Sequence, residues 1–371
     1  MVRTRRQLGL RIGQMKPPII TGSDPHQNGR RPKAGPERLL NACVVSGLAQ
    51  FNLGKPHASG GNALGRHGER RRDYAGRAPA PSMCLAGGMN VGELTPVEQT
   101  ALLTEYARAL DSRAHHSILG DSLADEVVGA IEYDFAGLGV IPSVVCLVAL
   151  RAKMLDERIR AFMTEHPVAA VVDLGAGLSS AVYRVDPPPT VDWYNVDFPA
   201  VIALRDTVLP HRDRSHSVAV SVAESRWADA IPADRPTMVV ADGLFAFLRE
   251  SVIVAVLRRI TGHFGSGVVA FNDYGTVSRA NRLAGRLITS GKRILSRGGT
   301  SNSPHSQWQF EGFKDAHYPE TWNRDLTLLE EASLMHEPDA ALFPASLRLA
   351  SRMAVHFPAI ARKARVLQYR F

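Results

Sequence analysis

Cysteine is scarce, with Cys43, Cys84 and Cys146 the only three in 371 residues. Scattered thiols of odd number build neither a disulfide framework nor a metal cage, so a reducing, cytoplasmic setting and no metal are expected. Aromatic residues make up 7% of the chain and are nearly missing from its first 88 positions. That removes the stacking surfaces a single-stranded nucleic-acid binder relies on. No uninterrupted apolar run reaches the roughly 20 residues of a membrane-spanning helix. Neither a nucleic-acid partner nor a membrane partner is therefore expected. Acidic residues are short only at one end. Residues 1–88 carry 15 Lys+Arg against 4 Asp+Glu, and residues 89–371 carry 29 against 32. The formal net charge of +8 thus belongs to the leader.

That leader is rich in Arg, Gly and Pro, and its one apolar patch, around Leu39 to Leu53, is interrupted by polar residues. Such a stretch cannot bury enough surface to offset its ordering entropy. Residues 1–88 are expected to be a disordered basic leader, or translation upstream of the true start, with Met89 a natural initiator. The pair Arg5-Arg6 is not followed by the apolar region of an export signal.

Structure is expected from Leu94. Thr95-Pro96-Val97-Glu98 has the residues of a helix start, and the helix should run to about Ser112. Asp121 is placed to cap a second helix through Ile131. Pro142 opens a third, to about Glu165, with Arg151 set inside an apolar stretch. These helices make up an expected N-terminal cap over residues 89–166.

Strand and helix then alternate, which argues for an α/β chain with a mostly parallel sheet. The run Ala169 to Leu174 reads as a strand covered on both faces, and Gly175-Ala176-Gly177 as a tight turn that brings backbone close to a ligand. Further strands are expected at Val191–Asp197, Ser217–Val222, Thr237–Gly243 and Val268–Phe271. Asp173, Asp197 and Asp242 thereby fall at carboxyl ends of strands, where ligands bind in open sheets. Asp197 lies 20 residues beyond Gly177, a spacing suited to ribose hydroxyls. An acid at Asp173, beside the turn, disfavours a pyrophosphate and favours a cationic ligand. S-adenosylmethionine has that character, so a methyl donor is preferred over NAD. Asn272-Asp273-Tyr274 follows the fifth strand. Tyr274 is a candidate for orienting an acceptor, with an ordinary strand-to-helix loop as the plainer reading. Residues 292–318 read as an irregular insertion able to close over an acceptor.

The runs Asp173-Leu174-Gly175-Ala176-Gly177-Leu178, Tyr183-Arg184-Val185, Trp193 to Pro199, Val201 to Arg205 and Ala241 to Leu244 resemble the leucine carboxyl methyltransferase family. Within it the chain is most similar to bacterial tetracenomycin-type polyketide O-methyltransferases. Tyr106 to Ala109, Ile131 to Phe135, Arg151-Ala152-Lys153 and Tyr369-Arg370-Phe371 extend the likeness over about residues 92–371. The resemblance implies a class I methyltransferase, a Rossmann-like seven-stranded sheet with the last strand antiparallel, over residues 167–371. It implies that Gly175 lines the donor's methionine part and that Arg151 clamps its carboxylate. It further implies that Asp197 takes the ribose, that Glu224 receives the adenine amino group, and that Asp242 faces the donor's amino group or the acceptor. Ser179-Ser180 departs from the family's usual Asp-Thr, which puts donor affinity in question.

The expected function is an S-adenosylmethionine-dependent O-methyltransferase acting on a carboxyl or hydroxyl of a small, polyketide-like acceptor. A nicotinamide-dependent oxidoreductase and a non-catalytic donor-binding relative are the alternatives. Oligomeric state is not readable from sequence.

Overall fold

The strand β1 (Ala170–Leu174) is buried at all five positions, as a run without a polar face requires. The computed structural model describes residue 91 and residues 94–274 and 308–371. The leader, Met89 and most of the expected insertion lie outside the described residues. β1 lies inside a seven-stranded sheet. It pairs in parallel with β2 (Asp192–Asp197) on one side and with β4 (Thr237–Ala241) on the other. β3 (Ser215–Ala219) extends the sheet beyond β2, and β5 (Gly267–Asp273) extends it beyond β4. β7 (Arg365–Arg370) then runs antiparallel between β5 and the edge strand β6 (Thr327–Ser333). The order β3-β2-β1-β4-β5-β7-β6 reverses direction between β1 and β4. An open sheet presents a crevice at the carboxyl ends there.

Three helices precede the sheet: α1 (Gln99–Ser112), α2 (Ser122–Ala130) and α3 (Pro142–Glu165). The Thr95-Glu98 box forms as the residues suggest. Thr95 N–H donates to Glu98 Oε2 at 2.7 Å, and Glu98 N–H to Thr95 Oγ1 at 3.4 Å. The regular helix begins only at Gln99, after a turn. Asp121 caps α2 by accepting from Ala124 N–H. Leu102, Leu103, Val127, Leu138 and Val148 of this layer bury a common core with Leu178 from the glycine turn and Leu204 from α5 (Pro199–Val208). Burying a leucine side chain stabilises by about 1.5–3 kcal/mol, so the turn is anchored from the helical side as well as from the sheet.

The remaining helices are α4 (Ala181–Val185), α6 (Glu250–His263), α7 (Tyr318–Trp322), α8 (Ala345–Ala354) and α9 (Pro358–Ala361). One strand departs from expectation. β3 begins at Ser215, two residues early, and ends at Ala219. Arg214 starts it from a left-handed conformation (φ 61°), and a turn from Val220 N–H to Val218 O closes it. The apolar run through Val222 looked like strand because Val222 is buried, but it is buried as a loop residue. Among the described residues, no helix is long and apolar enough to cross a membrane.

Candidate donor and acceptor site

A cavity of about 360 Å³ opens at the carboxyl ends of β1, β2 and β4. Asp173, Gly175, Gly177, Asp197, Asp242, Arg151 and Tyr274 all line it. Seven of the eight site residues expected from sequence are therefore gathered in one place. Glu224 is not among the lining residues. It is exposed, and its Oε2 lies 2.9 Å from Arg226 Nε. The wall at that point is made by Ser221, Val222 and Ala223.

The turn after β1 uses two left-handed glycines, Gly175 (φ 69°) and Gly177 (φ 52°). A side chain at Gly175 would also meet Leu244 Cδ1 at 3.0 Å, so the position is closed to other residues on two counts. The turn's amides are already bonded. Gly175 and Ala176 N–H donate to Val196 O, Ser179 N–H to Ala176 O, and Gly177 N–H to Asp197 Oδ2 at 2.8 Å. Phe198 N–H donates to Asp197 Oδ1 at 2.7 Å. Burial raises the Asp197 carboxyl above its usual range, and these two amides pull it back.

Beside the turn, charges of both signs are packed together. Arg151 is buried, with Nε 2.7 Å from Asp242 Oδ1 and Nη1 donating to the Tyr274 hydroxyl. The Arg151–Asp242 contact is short but poorly aligned, and Nε and Oδ1 are buried without a hydrogen bond. Burial opposes the charge on Arg151, but Asp242 and Tyr274 outweigh it and hold the guanidinium cationic. Burial raises the Tyr274 phenol above its ordinary value, although Arg151 opposes the rise. The Tyr274 ring stacks on Trp308, centroids 4.9 Å apart.

Two arginines join the site without having been singled out in the sequence. Arg108 is buried on α1, bonded through Nε and Nη2 to Glu105 Oε2, with Nη1 4.0 Å from Asp242 Oδ2. Arg205, buried on α5, donates to the carbonyls of Gly177 (3.2 Å) and Ser179 (2.6 Å) and to Asn195 Oδ1 (2.9 Å). It fixes the turn from behind. The signal for each was the one carried by Arg151, an arginine inside a helix stretch of small and apolar neighbours.

The two serines part ways: Ser179 lines the cavity, and Ser180 ties the turn to the helices. Ser180 is fully buried, and its Oγ donates to Asp121 Oδ1 at 2.6 Å. Arg184 Nη1 donates to Asp121 Oδ2 at 2.6 Å and to Ser180 Oγ at 2.9 Å, and its Nε and Nη2 fork onto Asp156 at 2.8 and 3.1 Å. The hydroxyl faces the helical layer. Among the described residues, no group of three or more His, Cys, Asp and Glu is placed to hold a metal.

With this geometry in place, comparison with known proteins is informative. The family model for leucine carboxyl methyltransferase matches residues 101–261. The tetracenomycin polyketide synthesis O-methyltransferase TcmP of Streptomyces glaucescens is 41% identical over 179 residues, covering 48% of this chain and 66% of its own length. The S-adenosyl-L-methionine-dependent methyltransferase dpfgK of Gibberella zeae is 30% identical over 204 residues, covering 50% of this chain and 68% of its own. The matched stretch thus spans about two thirds of each relative. Among solved structures, a DUF574 family protein from Streptomyces avermitilis superposes with a TM-score of 0.42 at 15% identity, over 70% of this chain and 99% of its own.

Proposed function

The chain belongs to the leucine carboxyl methyltransferase family of S-adenosyl-L-methionine-dependent enzymes, and we propose that it methylates an oxygen of a small, polyketide-like acceptor. The observation that carries this reading is the site's paired charge. Asp242 and Asp173 stand beside Arg151 and Arg108 at the β1–β4 crevice, an arrangement complementary to a zwitterionic amino-acid group.

When bound, the donor supplies an electrophilic methyl on a sulfonium. Arg151, with Arg108 behind it, takes the carboxylate of the donor's amino-acid end, and Asp242 and Asp173 face its ammonium. Asp197 uses one lone pair of each oxygen on the turn amides and keeps one on each for the ribose hydroxyls. Val222 and Ala223 give the adenine an apolar seat, the part the sequence had assigned to Glu224. Leu103, Val148, Phe247 and Trp308 line the rest of the cavity, where they exclude water and align the acceptor.

Within this reading a carboxyl acceptor is favoured over a phenol. A carboxylate is already ionised at neutral pH and needs no base. Tyr274, its phenol raised by burial, stays protonated there and acts as a hydrogen-bond donor. Asp242 is engaged with Arg151. A dinucleotide is disfavoured because the turn amides that would hold a pyrophosphate are bonded within the protein.

Calorimetry with S-adenosylmethionine, S-adenosylhomocysteine and NAD tests the reading. The first two should bind and NAD should not; NAD binding, or silence from both donor forms, would sink it. Labelled methyl transfer to an aromatic acid and to its phenol-only analogue then separates the acceptors. A base-labile ester product is expected. Donor binding with no turnover on either would identify a non-catalytic relative.

A further inference from the structure

Seven large apolar side chains stand exposed among the described residues, and four of them fall between positions 342 and 357. They are Leu342 (41% exposed), Leu349 (57%), Val355 (68%) and Phe357 (46%). Scattered surface leucines need no explanation, but a cluster does. The helix α8 lies at its centre. Its inner positions Leu347, Ala350 and Ala354 are buried in the core shared with α3 and the sheet. Its outer positions place Arg348 and Arg352 one turn apart beside Leu349, and Val355 follows Arg352 on the same stripe. No acidic residue follows Asp339 in the sequence, while Arg348, Arg352, Arg362 and Lys363 lie between it and β7. Arg362 faces Glu331 at 3.8 Å. Among the described residues, neither Arg348 nor Arg352 pairs with a carboxylate.

We infer that this face is a peripheral attachment surface for an anionic lipid bilayer. A helix lying along such a surface buries its apolar tips at the headgroup boundary, while arginines beside them reach the phosphates. The lack of acids on α8 and in the segment after it sets the sign of the lipid, because cations gain from an anionic leaflet. Shape favours a bilayer over a folded partner. The apolar side chains stand out from the surface, and neither cavity described is lined by residues 342–357, whereas a folded partner anchors in a pocket. The helix is one short element, so attachment is reversible and salt-sensitive. The sequence argument against a membrane partner rested on the lack of a spanning run, and surface attachment requires none.

Flotation of the full chain with vesicles tests this, using phosphatidylcholine alone and phosphatidylcholine mixed with phosphatidylglycerol. The chain should float with the anionic vesicles at low salt, be released by high salt, and float poorly with the neutral ones. The double variant R348E/R352E and the triple variant L349S/V355S/F357S should each reduce partitioning at least tenfold. None of the five residues lines the donor cavity, so calorimetric donor affinity should stay unchanged and report a folded protein. If a multiple variant loses donor binding, the singles R352Q and L349S decide, each with a smaller loss of partitioning expected. Flotation undiminished in all variants would assign it to the 15 basic residues of the leader and overturn the inference. No flotation with anionic vesicles would overturn it too, in favour of an acidic protein surface. So would a dimer that the triple variant dissolves while flotation persists.

Discussion

Asp173 is buried and Asp197 half-buried at the mouth of the sheet, and their surroundings set them different tasks. Asp197 holds the turn as well as facing the cavity, so its removal would confound ligand binding with a loosened backbone. Asp197→Asn keeps the shape and one amide acceptor while removing the charge. Two charge-assisted bonds are each worth about 1.5–3 kcal/mol, and weakening them should raise the donor Kd more than tenfold by calorimetry. An unchanged Kd in the folded variant would take Asp197 out of the donor site. Asp173 differs in its proton. Burial pushes its carboxyl up to about 7, with Arg205 pulling it down and Asp242 adding to the rise. The folded value lies above the unfolded one. The stability from its neutral form is therefore complete below about pH 4 and is lost as pH climbs through about 7. A cationic donor beside it favours the carboxylate and should expel the proton. Calorimetry near pH 7 in buffers of differing ionisation enthalpy should record proton release for the wild type and much less for Asp173→Asn. Equal release from both would show that another group titrates.

At the scale of elements, the buried link between Asp121, Ser180, Arg184 and Asp156 joins α2 and α3 to the helix that follows the glycine turn. One arginine serves two carboxylates there, with side chains at most 9% exposed. Arg184→Gln would leave both acids uncompensated, and such losses typically cost about 3–5 kcal/mol. Urea unfolding should show a drop of that order, and Arg184→Lys, which keeps the charge without the fork, should recover part of it. A variant as stable as wild type would mean that the layer is held by its apolar core alone. The same link marks where sequence reading stopped. Helix ends, the β1 strand and the glycine turn were legible because their causes are local: a capping box, a proline, an apolar run. Asp121, the partner of both Ser180 and Arg184, lies 59 and 63 positions away in sequence, so the tie of Ser180 to the helical layer left no local signal. Glu224 came to the adenine through the resemblance, on a strand expected to run to Val222. β3 instead ends at Ala219, and the loop beyond it turns Val222 inward and Glu224 outward.

Taken whole, the chain divides its net charge unevenly: the excess of basic residues lies in 1–88, and residues 89–371 are slightly acidic. Composition alone made that division legible, whereas the basic and apolar face around α8 emerged only when folding turned Leu347 inward and Leu349 outward. Removing residues 1–88 changes the charge balance to 29 Lys+Arg against 32 Asp+Glu, so retention on a cation exchanger at neutral pH should be lost. Donor affinity should stay within about twofold, since none of the motifs that carry the site lies in residues 1–88. A tenfold weakening would show that the leader completes the site. The truncated chain also separates two sources of membrane affinity. Flotation with anionic vesicles should persist without the leader, because Arg348, Arg352, Leu349, Val355 and Phe357 remain, and it should then become fully dependent on those five residues. If truncation abolishes flotation and leaves donor binding intact, the leader alone carries the attraction to anionic lipid.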